Sequence, residues 1–507
     1  MFKKHIVTIC LLVGVFLWAL IISETHPSGT WVSWDQGFHA GGALYLSKTL
    51  QSGLDFGRYK YIFDDFAIGI YMYPHLWLLV AGICGAILGP SLGVFRLATM
   101  LFAIASILLI AAFTKRYGGT KALIIAVMTL AFNPTFIVYS HLTMLEVPFL
   151  FSVSLALLMY WRYLTKKKLG LLDIVLTGFA FFAGTQSKMH AITMIVGTVC
   201  LFGVLLLIFS RKTQIFKRFF SFYTLLFLGL SFASLLIYEY FTLFVFHFDP
   251  IGFNMEITKR AYAQSNLVDA FVATLSSLFN NPYLNEFFRT PYLSLFWFIS
   301  LFGYALYKRT YLSFFLIAWV VAVYIVLSAA RPQDPKELMP LYAPISIAAG
   351  LFWSSVFKSR VNFLLLLTNI IVIGWFTMIN AHLYWIRIEK TNQEAAANYI
   401  AKNANYGDSV ISAGDGTTFL VRQVGMEKNL RTINAARPEC LNSQADWAIL
   451  GYDQQNQTMI ETIREPLWIK KASYRGDMEN TVVFRNTESE KVVDPMAAKC
   501  LRYDITR

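Results

Sequence analysis

Long apolar runs dominate this chain. They lie near 5–22, 72–89, 93–113, 121–139, 147–164, 171–187, 189–209, 219–246, 291–307, 311–328, 338–357 and 361–385, with short polar connections between most of them. A helix needs roughly 20 apolar residues to cross the hydrocarbon of a bilayer, so each run is a candidate span. The first follows Lys3 and Lys4 and ends in Ser23-Glu24-Thr25-His26-Pro27, which lacks a small-x-small cleavage pattern. It is therefore expected to remain as an uncleaved span.

Two connections, 23–72 and 247–290, are longer than the rest. In the first, Phe38, Leu44, Tyr45, Leu50 and Leu54 are spaced as an apolar stripe, which predicts a helix lying at the membrane surface. From about residue 388 the pattern becomes mixed. "NQEAAANYIAKNA" from Asn392 predicts a helix, "YGDSVISAG" from Tyr406 a turn and strand, "ADWAILGYD" from Ala445 a strand, "NQTMIETIRE" from Asn456 a helix and "NTVVFRN" from Asn480 a strand. The expected architecture is a polytopic α-helical membrane protein over 1–387, followed by a small α/β soluble domain over 388–507.

Composition supports this reading. Of 507 residues 56% are hydrophobic and only 14% charged, and no soluble core hides that much apolar surface. The net charge of +13 does not point to nucleic acid, because the cations sit in short connections between runs. Lys115, Arg116 and Lys121 form one group, and Arg162 with Lys166, Lys167 and Lys168 a second. Arg211, Lys212, Lys217 and Arg218 form a third, followed by Lys308 with Arg309 and Lys358 with Arg360. These are the cytoplasmic anchors of the positive-inside rule.

Alternation then places the Asp35 loop, the Tyr139–Pro148 and Gln186–His190 turns, 247–290 and the Arg331–Glu337 turn outside, together with the tail. One conflict arises. Twelve runs would return the C-terminus to the cytoplasm, and the anchors require an odd number of crossings where 72–89 and 93–113 supply two. Either one run is re-entrant or a short span is hidden, giving 11 or 13 crossings. Cys10, Cys84 and Cys200 lie in apolar runs, whereas Cys440 and Cys500 lie in the tail. Those two either pair in an oxidising compartment or are independent thiols.

Ionisable groups at span edges are costly and mark candidate sites. Here they recur on the expected external side: Asp35 and His39; Asp64, Asp65 and His75; His141 and Glu146; Lys188 and His190; Arg331, Asp334, Lys336 and Glu337. Such a convergence suits an anionic, lipid-attached substrate. A sugar joined through phosphate to a prenyl chain requires a carboxylate base for the acceptor hydroxyl, cations for the departing phosphate and an apolar groove. Asp35, flanked by Trp31, Trp34 and Phe38, is the candidate base. Lys188 with Arg331 or Lys336 are candidate phosphate ligands. The four histidines His39, His75, His141 and His190 are either a metal set or structural and acceptor-contacting groups. The tail holds no glycine-rich phosphate loop, metal-spaced Cys/His set or nucleophile elbow.

Several stretches, in order, resemble the polyprenyl-phosphate-sugar-dependent branch of the C-type membrane glycosyltransferases, which includes protein O-mannosyltransferases and lipid A aminoarabinose transferases. "WDQGFHAGGALYLSKTLQSG" is similar to that family's first-loop Asp-Glu motif, with Asp35 at the Asp and Gln36 replacing the Glu. "YPHLWLL" resembles its His/Pro-Pro-Leu segment, with Pro74 and His75. "FRLAT" places Arg96 at the family arginine. "YSHLTMLEVP" resembles the second acidic motif, with Glu146 where Asp is usual. "GFAFFAGTQSKMHAI" puts Lys188 at the donor-phosphate lysine, and "PKELMPLYAPISIAAG" puts Lys336 at the Arg of an Arg-Tyr-Leu-x-Pro pattern, with Glu337 replacing the Tyr.

The resemblance covers about residues 1–385. It implies transfer of a sugar, with inversion, from a polyprenyl phosphate to a glycan, lipid or protein on the external face of the inner or plasma membrane. Asp35 and Glu146 would be catalytic, and Lys188, Arg331, Lys336 and Arg96 would bind the donor phosphate. Trp34, Gln36, His39 and His75 would contact acceptor or sugar. The implied partners are the lipid-linked sugar, membrane lipid and the acceptor, not nucleic acid; no cofactor is assigned, and a divalent metal is the one candidate. A transporter or flippase of lipid-linked sugars is the alternative. It would place charges or helix breaks deep in several spans, often with a repeated half, and the sequence shows neither pattern clearly.

Overall fold

The computed structural model describes residues 2–24, 34–55, 74–209, 213–246, 252, 291–330, 335–357, 359, 363–364, 366–368, 393–412, 420–421, 423, 428, 430–434, 445–452, 468–474 and 480–486. Asp64, Asp65, Arg331, Asp334, Cys440, Cys500, the 361–385 run for the most part and the helix expected from Asn456 lie outside those residues. Among the described residues the helices are α1 (Phe2–Glu24), α2 (Trp34–Gln51), α3 (Leu76–Leu88), α4 (Leu92–Ala131), α5 (Pro134–Tyr139), α6 (Glu146–Thr165) and α7 (Leu171–Thr185). They continue as α8 (His190–Phe209), α9 (Gln214–Phe219), α10 (Phe222–Phe246), α11 (Pro291–Lys308), α12 (Tyr311–Ala330), a 3-10 turn (Pro335–Leu341), α13 (Tyr342–Val356) and α14 (Gln393–Asn403). Five of the described helices are long and apolar enough to cross a membrane by length and composition. Shorter apolar helices lie between them. Outward stripes such as Leu12, Phe16 and Leu20 on α1 leave large apolar side chains exposed, as lipid contact requires. The protein is an integral membrane protein.

Local chemistry sets where the chain turns. Ser91 caps α4 by accepting from the Val94 N–H at 3.3 Å, and Asn133 caps α5 from the Phe136 N–H at 2.9 Å with Pro134 behind it. Gly119, at φ 73°, bends α4 back on itself beside Lys115, Arg116 and Lys121. The connection after α6 lies at the same end, where Tyr117 and Thr165 share a hydrogen bond at 3.2 Å. Asp173 holds Lys166 at 2.6 Å and Arg162 at 3.1 Å. Arg218 on α9 donates to the Tyr163, Leu164, Lys166 and Lys167 carbonyls, closing the C-terminus of α6. This is the basic end. The turns at 132–146, 186–190 and 335–341 form the opposite end.

The run expected at 72–89 is the short helix α3. Thirteen residues of helix span about 20 Å, short of the hydrocarbon thickness. Trp77 donates to Thr99 at 2.9 Å, and Gly85 lies against Phe95, so α3 runs antiparallel to the first turns of α4. Ser47 donates to the Gly82 carbonyl and Gln51 to that of Ala86, so it runs parallel to α2. Its first N–H, from Leu76, donates to the Gln186 carbonyl at 2.8 Å. α3 is therefore a short helix packed against both α2 and α4. α2 differs from expectation: Ala40, Ala43, Leu44 and Tyr45 are buried against protein instead of lying on a membrane surface. The close approach of α3 explains this, since Gly82 and Gly85 leave room for Leu46 and Ser47.

In the tail, β1 (Ser409–Ser412), β2 (Arg431–Asn434), β3 (Trp447–Tyr452), β4 (Trp468–Tyr474) and β5 (Asn480–Asn486) form a five-stranded sheet ordered β2-β1-β3-β5-β4. β1 pairs in parallel with β2 and β3, whereas β5 pairs antiparallel with β3 and β4. α14 buries Ala396, Ala397 and Ile400, and Tyr399 meets Trp447 edge-on at 6.5 Å. The helix and the three strands expected at 409, 447 and 480 are present. β2 and β4 were not anticipated.

Candidate active site

Four elements converge at the end opposite the cations. Asp35 is the second residue of α2, in its first turn, and not in a loop. Its side chain and that of Trp34 lie outside the described atoms. The next residue, Gln36, is 1% exposed, and its carbonyl accepts from the Thr143 hydroxyl at 3.0 Å. That bond ties the first-loop motif to the turn ahead of Glu146, across 107 residues of sequence.

Glu146 opens α6, and Lys188 lies in the tight turn between α7 and α8. Lys188 Nζ stands 3.4 Å from Glu146 Oε1, with the two side chains only 9% and 5% exposed. Lys188 Nζ is also 5.9 Å from the centre of the Phe149 ring, one turn into α6. The turn is held from below. Ser152 donates to Ser187 at 2.6 Å, Ser187 donates to the Gly184 carbonyl, and Gln186 donates to the Ser234 carbonyl and hydroxyl on α10. Thus a cation is fixed in a water-poor place, where its field is little screened.

Arg96 is buried on the second turn of α4. It acts on His141, whose Nδ1 meets the Ile137 carbonyl at 3.0 Å. Burial first, and the Arg96 guanidinium second, hold the His141 imidazole down to about pKa 3. His141 is therefore neutral at physiological pH and donates its Nδ1–H to that carbonyl. His39 packs its ring against Trp77 at 6.0 Å, and His75 packs against Tyr238 at 5.2 Å and Phe241 at 5.8 Å. Lys336 lies half-buried on the 3-10 turn, which packs against α5, α6 and α12. Arg331 lies outside the described residues.

The structure thus brings Gln36, Glu146 and Lys188 together with the Arg96–His141 pair, and it sets His39 and His75 into aromatic packing. Thr143, Phe149, Ser152 and Ser187 also build the site and were not singled out from sequence. Thr143 sits inside the "YSHLTMLEVP" stretch, so the motif pointed to its turn without marking its role. A divalent metal finds no fit among the described residues. No three His, Cys, Asp or Glu side chains gather there, and Gln36 occupies the second-carboxylate position. A buried carboxylate and two buried cations beside the helix turn that carries an aspartate can hold an anion and orient a nucleophile.

Comparison with known proteins agrees with this arrangement. Residues 74–238 match the family model described as dolichyl-phosphate-mannose-protein mannosyltransferase. No curated protein matches the chain by sequence. Among solved structures, ArnT from Cupriavidus metallidurans in the apo state superposes with a TM-score of 0.62 at 15% identity, covering 95% of this chain and 98% of that one. The same protein bound to undecaprenyl phosphate gives 0.60 at 13%, covering 94% and 97%. The archaeal oligosaccharyltransferase AglB from Archaeoglobus fulgidus, in complex with an inhibitory peptide and a dolichol-phosphate, gives 0.55 at 12%, covering 97% and 76%. The resemblance read from the motifs is therefore upheld: the chain takes the fold of the polyprenyl-phosphate-dependent C-type membrane glycosyltransferases, and its residues 74–238 carry the sequence pattern of the mannosyltransferase family.

Proposed function

We propose that this protein is a membrane glycosyltransferase that moves a sugar from a polyprenyl-phosphate donor to a hydroxyl acceptor at the end of the bundle opposite its basic connections. The observation that carries this reading is the buried Lys188–Glu146 pair, tied through Thr143 and Gln36 to the turn that bears Asp35. The family match at 74–238, and fold neighbours solved with undecaprenyl phosphate and with a dolichol-phosphate, support the donor class.

In this mechanism the Asp35 carboxylate takes the proton of the acceptor hydroxyl as its oxygen attacks the anomeric carbon. The bond from that carbon to the phosphate oxygen breaks, both of its electrons leave with the phosphate, and the configuration inverts. Charge then accumulates on the departing lipid phosphate. Lys188 and Arg96 stabilise it in a medium that water does not screen, and Lys336 and Arg331 are the further candidate phosphate ligands. Glu146 holds the Lys188 ammonium in place before the donor arrives. Trp34 offers a sugar face, and His39 and His75 line the approach. The basic connections set the orientation by the positive-inside rule, so the site and the 388–507 domain face outward and the 1–387 domain crosses the membrane.

Mass spectrometry of cell-envelope glycans, glycolipids and glycoproteins, with and without this protein, tests the reading. Loss of one pendant sugar is expected and names donor and acceptor together. An unchanged profile in all three fractions contradicts it.

A further inference from the structure

Gln186, two residues ahead of Lys188, binds more of the surrounding structure than its place at the end of α7 requires. Its N–H closes that helix on the Ala183 carbonyl at 3.1 Å, and its carbonyl accepts the first N–H of α3, from Leu76, at 2.8 Å. Its side-chain amide reaches α10, donating to the Ser234 carbonyl at 2.8 Å and the Ser234 hydroxyl at 2.7 Å. That hydroxyl donates in turn to the Phe182 carbonyl at 2.8 Å, so α10 meets the last turn of α7 at the same level. One to two turns further along α10, Tyr238 and Phe241 pack on the ring of His75, the residue that caps α3. α3, the α7–α8 turn and α10 therefore form a closed triangle, with Gln186 at the corner beside Lys188.

Resting on the glycosyltransferase reading above, we propose that Gln186 is a positioning residue for the donor phosphate: its amide registers the Lys188 turn against α10 and so sets where the Lys188 ammonium stands. Backbone bonds such as Gln186 to Ala183 and Ala191 to Lys188 shape the turn between α7 and α8. They do not fix its place relative to other helices. Ser152, bonded to Ser187, ties the turn to α6 on one side. The Gln186 amide ties it to α10 on the other. α10 has Leu236, Ile237 and Tyr240 exposed on its outer side, so its seat depends on the few polar bonds of its inner face. A charge-assisted bond from Lys188 to a phosphate oxygen has a narrow range of productive distances, and a shift of about 1 Å forfeits much of it. Gln186 thus acts through Lys188 and touches no substrate itself, which makes the grip on phosphate depend on how α10 is seated.

The test uses the full chain in lipid nanodiscs and compares binding of undecaprenyl phosphate with that of undecaprenol. Gln186→Leu removes both donated bonds at similar volume and is expected to lower the preference for the phosphorylated lipid by about three- to tenfold, with affinity for undecaprenol unchanged. Ser234→Ala removes one of the two acceptors and keeps the carbonyl, so its loss should be smaller and in the same direction. In a Lys188→Met background, Gln186→Leu should lower the preference no further, because its effect passes through the ammonium. If Gln186→Leu does not fold, Ser234→Ala decides by the same ratio and the same background. The proposal is overturned if the preference survives in the folded variants, if both lipids weaken in parallel as a merely structural residue would produce, or if the losses from Gln186 and Lys188 multiply. If the wild-type protein itself does not prefer the phosphorylated lipid, the glycosyltransferase reading fails and the proposal falls with it. A preference present in the wild type and kept by the variants overturns the proposal alone.

Discussion

Neutralising Lys188 tests both halves of the account, fold and chemistry. At 3.4 Å the attraction between Lys188 and Glu146 amounts to about 5 kcal/mol at an effective dielectric constant of ~20. With the two side chains 9% and 5% exposed, little solvent screening reduces it. Lys188→Met keeps the length of the side chain and removes the charge, leaving Glu146 to face a buried site without its cation. The expected cost is about 3–5 kcal/mol of stability. Glu146→Gln should cost a similar amount, and the double variant much less than the two together, so a double-mutant cycle should return a coupling of several kcal/mol. Thermal or denaturant unfolding in nanodiscs reads this directly. The functional arm is a titration with polyprenyl lipids that carry or lack the phosphate. Lys188→Met should weaken the phosphate-dependent part by about 1.5–3 kcal/mol, and the acceptor affinity should change little. Additive single-variant losses together with an undiminished preference for phosphorylated lipid would refute the reasoning, leaving Lys188 as a boundary lysine and shifting the donor site toward Arg96 and Arg331.

Asp35→Asn should reduce transfer at least ~10²-fold while binding of the polyprenyl-phosphate donor and the unfolding midpoint hold, and near-normal turnover in the purified variant would reject Asp35 as the base. His141 should make the fold acid-sensitive. Its folded pKa of about 3 lies below the ordinary 6.5, so its neutral form stabilises the fold above pH 6.5, and this contribution is lost as pH falls toward 3. His141→Gln should flatten that acid limb in midpoint-against-pH curves, and an unchanged limb would assign it to other groups. Gly350→Ala should destabilise by about 1–3 kcal/mol, because a Cβ there would collide with the Ala122 carbonyl and Ala126 where α13 packs on α4. An unfolding midpoint equal to that of the wild type would contradict the packing.

The apolar helices were legible because lipid tolerates only long apolar helices. Hydropathy alone did not show that α3 is short and packed between two other helices, since such a helix is as apolar as a span. What distinguishes it is the pairing of Trp77 with Thr99 and of Ser47 with Gly82, which are contacts between distant parts of the chain. The candidate residues were legible individually, as polar groups at span edges, but their partners were not. Nothing local in "GTQSKMH" announces that Lys188 meets Glu146 over 42 residues, or in "WDQGF" that the Gln36 carbonyl is bonded to Thr143 over 107. β2 and β4 were missed because "RTIN" and "WIKKASY" carry too few apolar positions to show alternation, and their strand character comes from pairing with β1 and β5.

The central claim is that a sugar–phosphate bond breaks at this site. The most direct measurement is to supply the purified protein in nanodiscs with a polyprenyl-phosphate sugar and a hydroxyl acceptor, and to follow both products by mass spectrometry and anomeric NMR. Free polyprenyl phosphate should appear in step with a glycosylated acceptor of inverted anomeric configuration, and Asp35→Asn should suppress both. If instead the same protein, in vesicles, carries the lipid-linked sugar intact between leaflets with no bond cleaved, the protein is a flippase and the account is wrong.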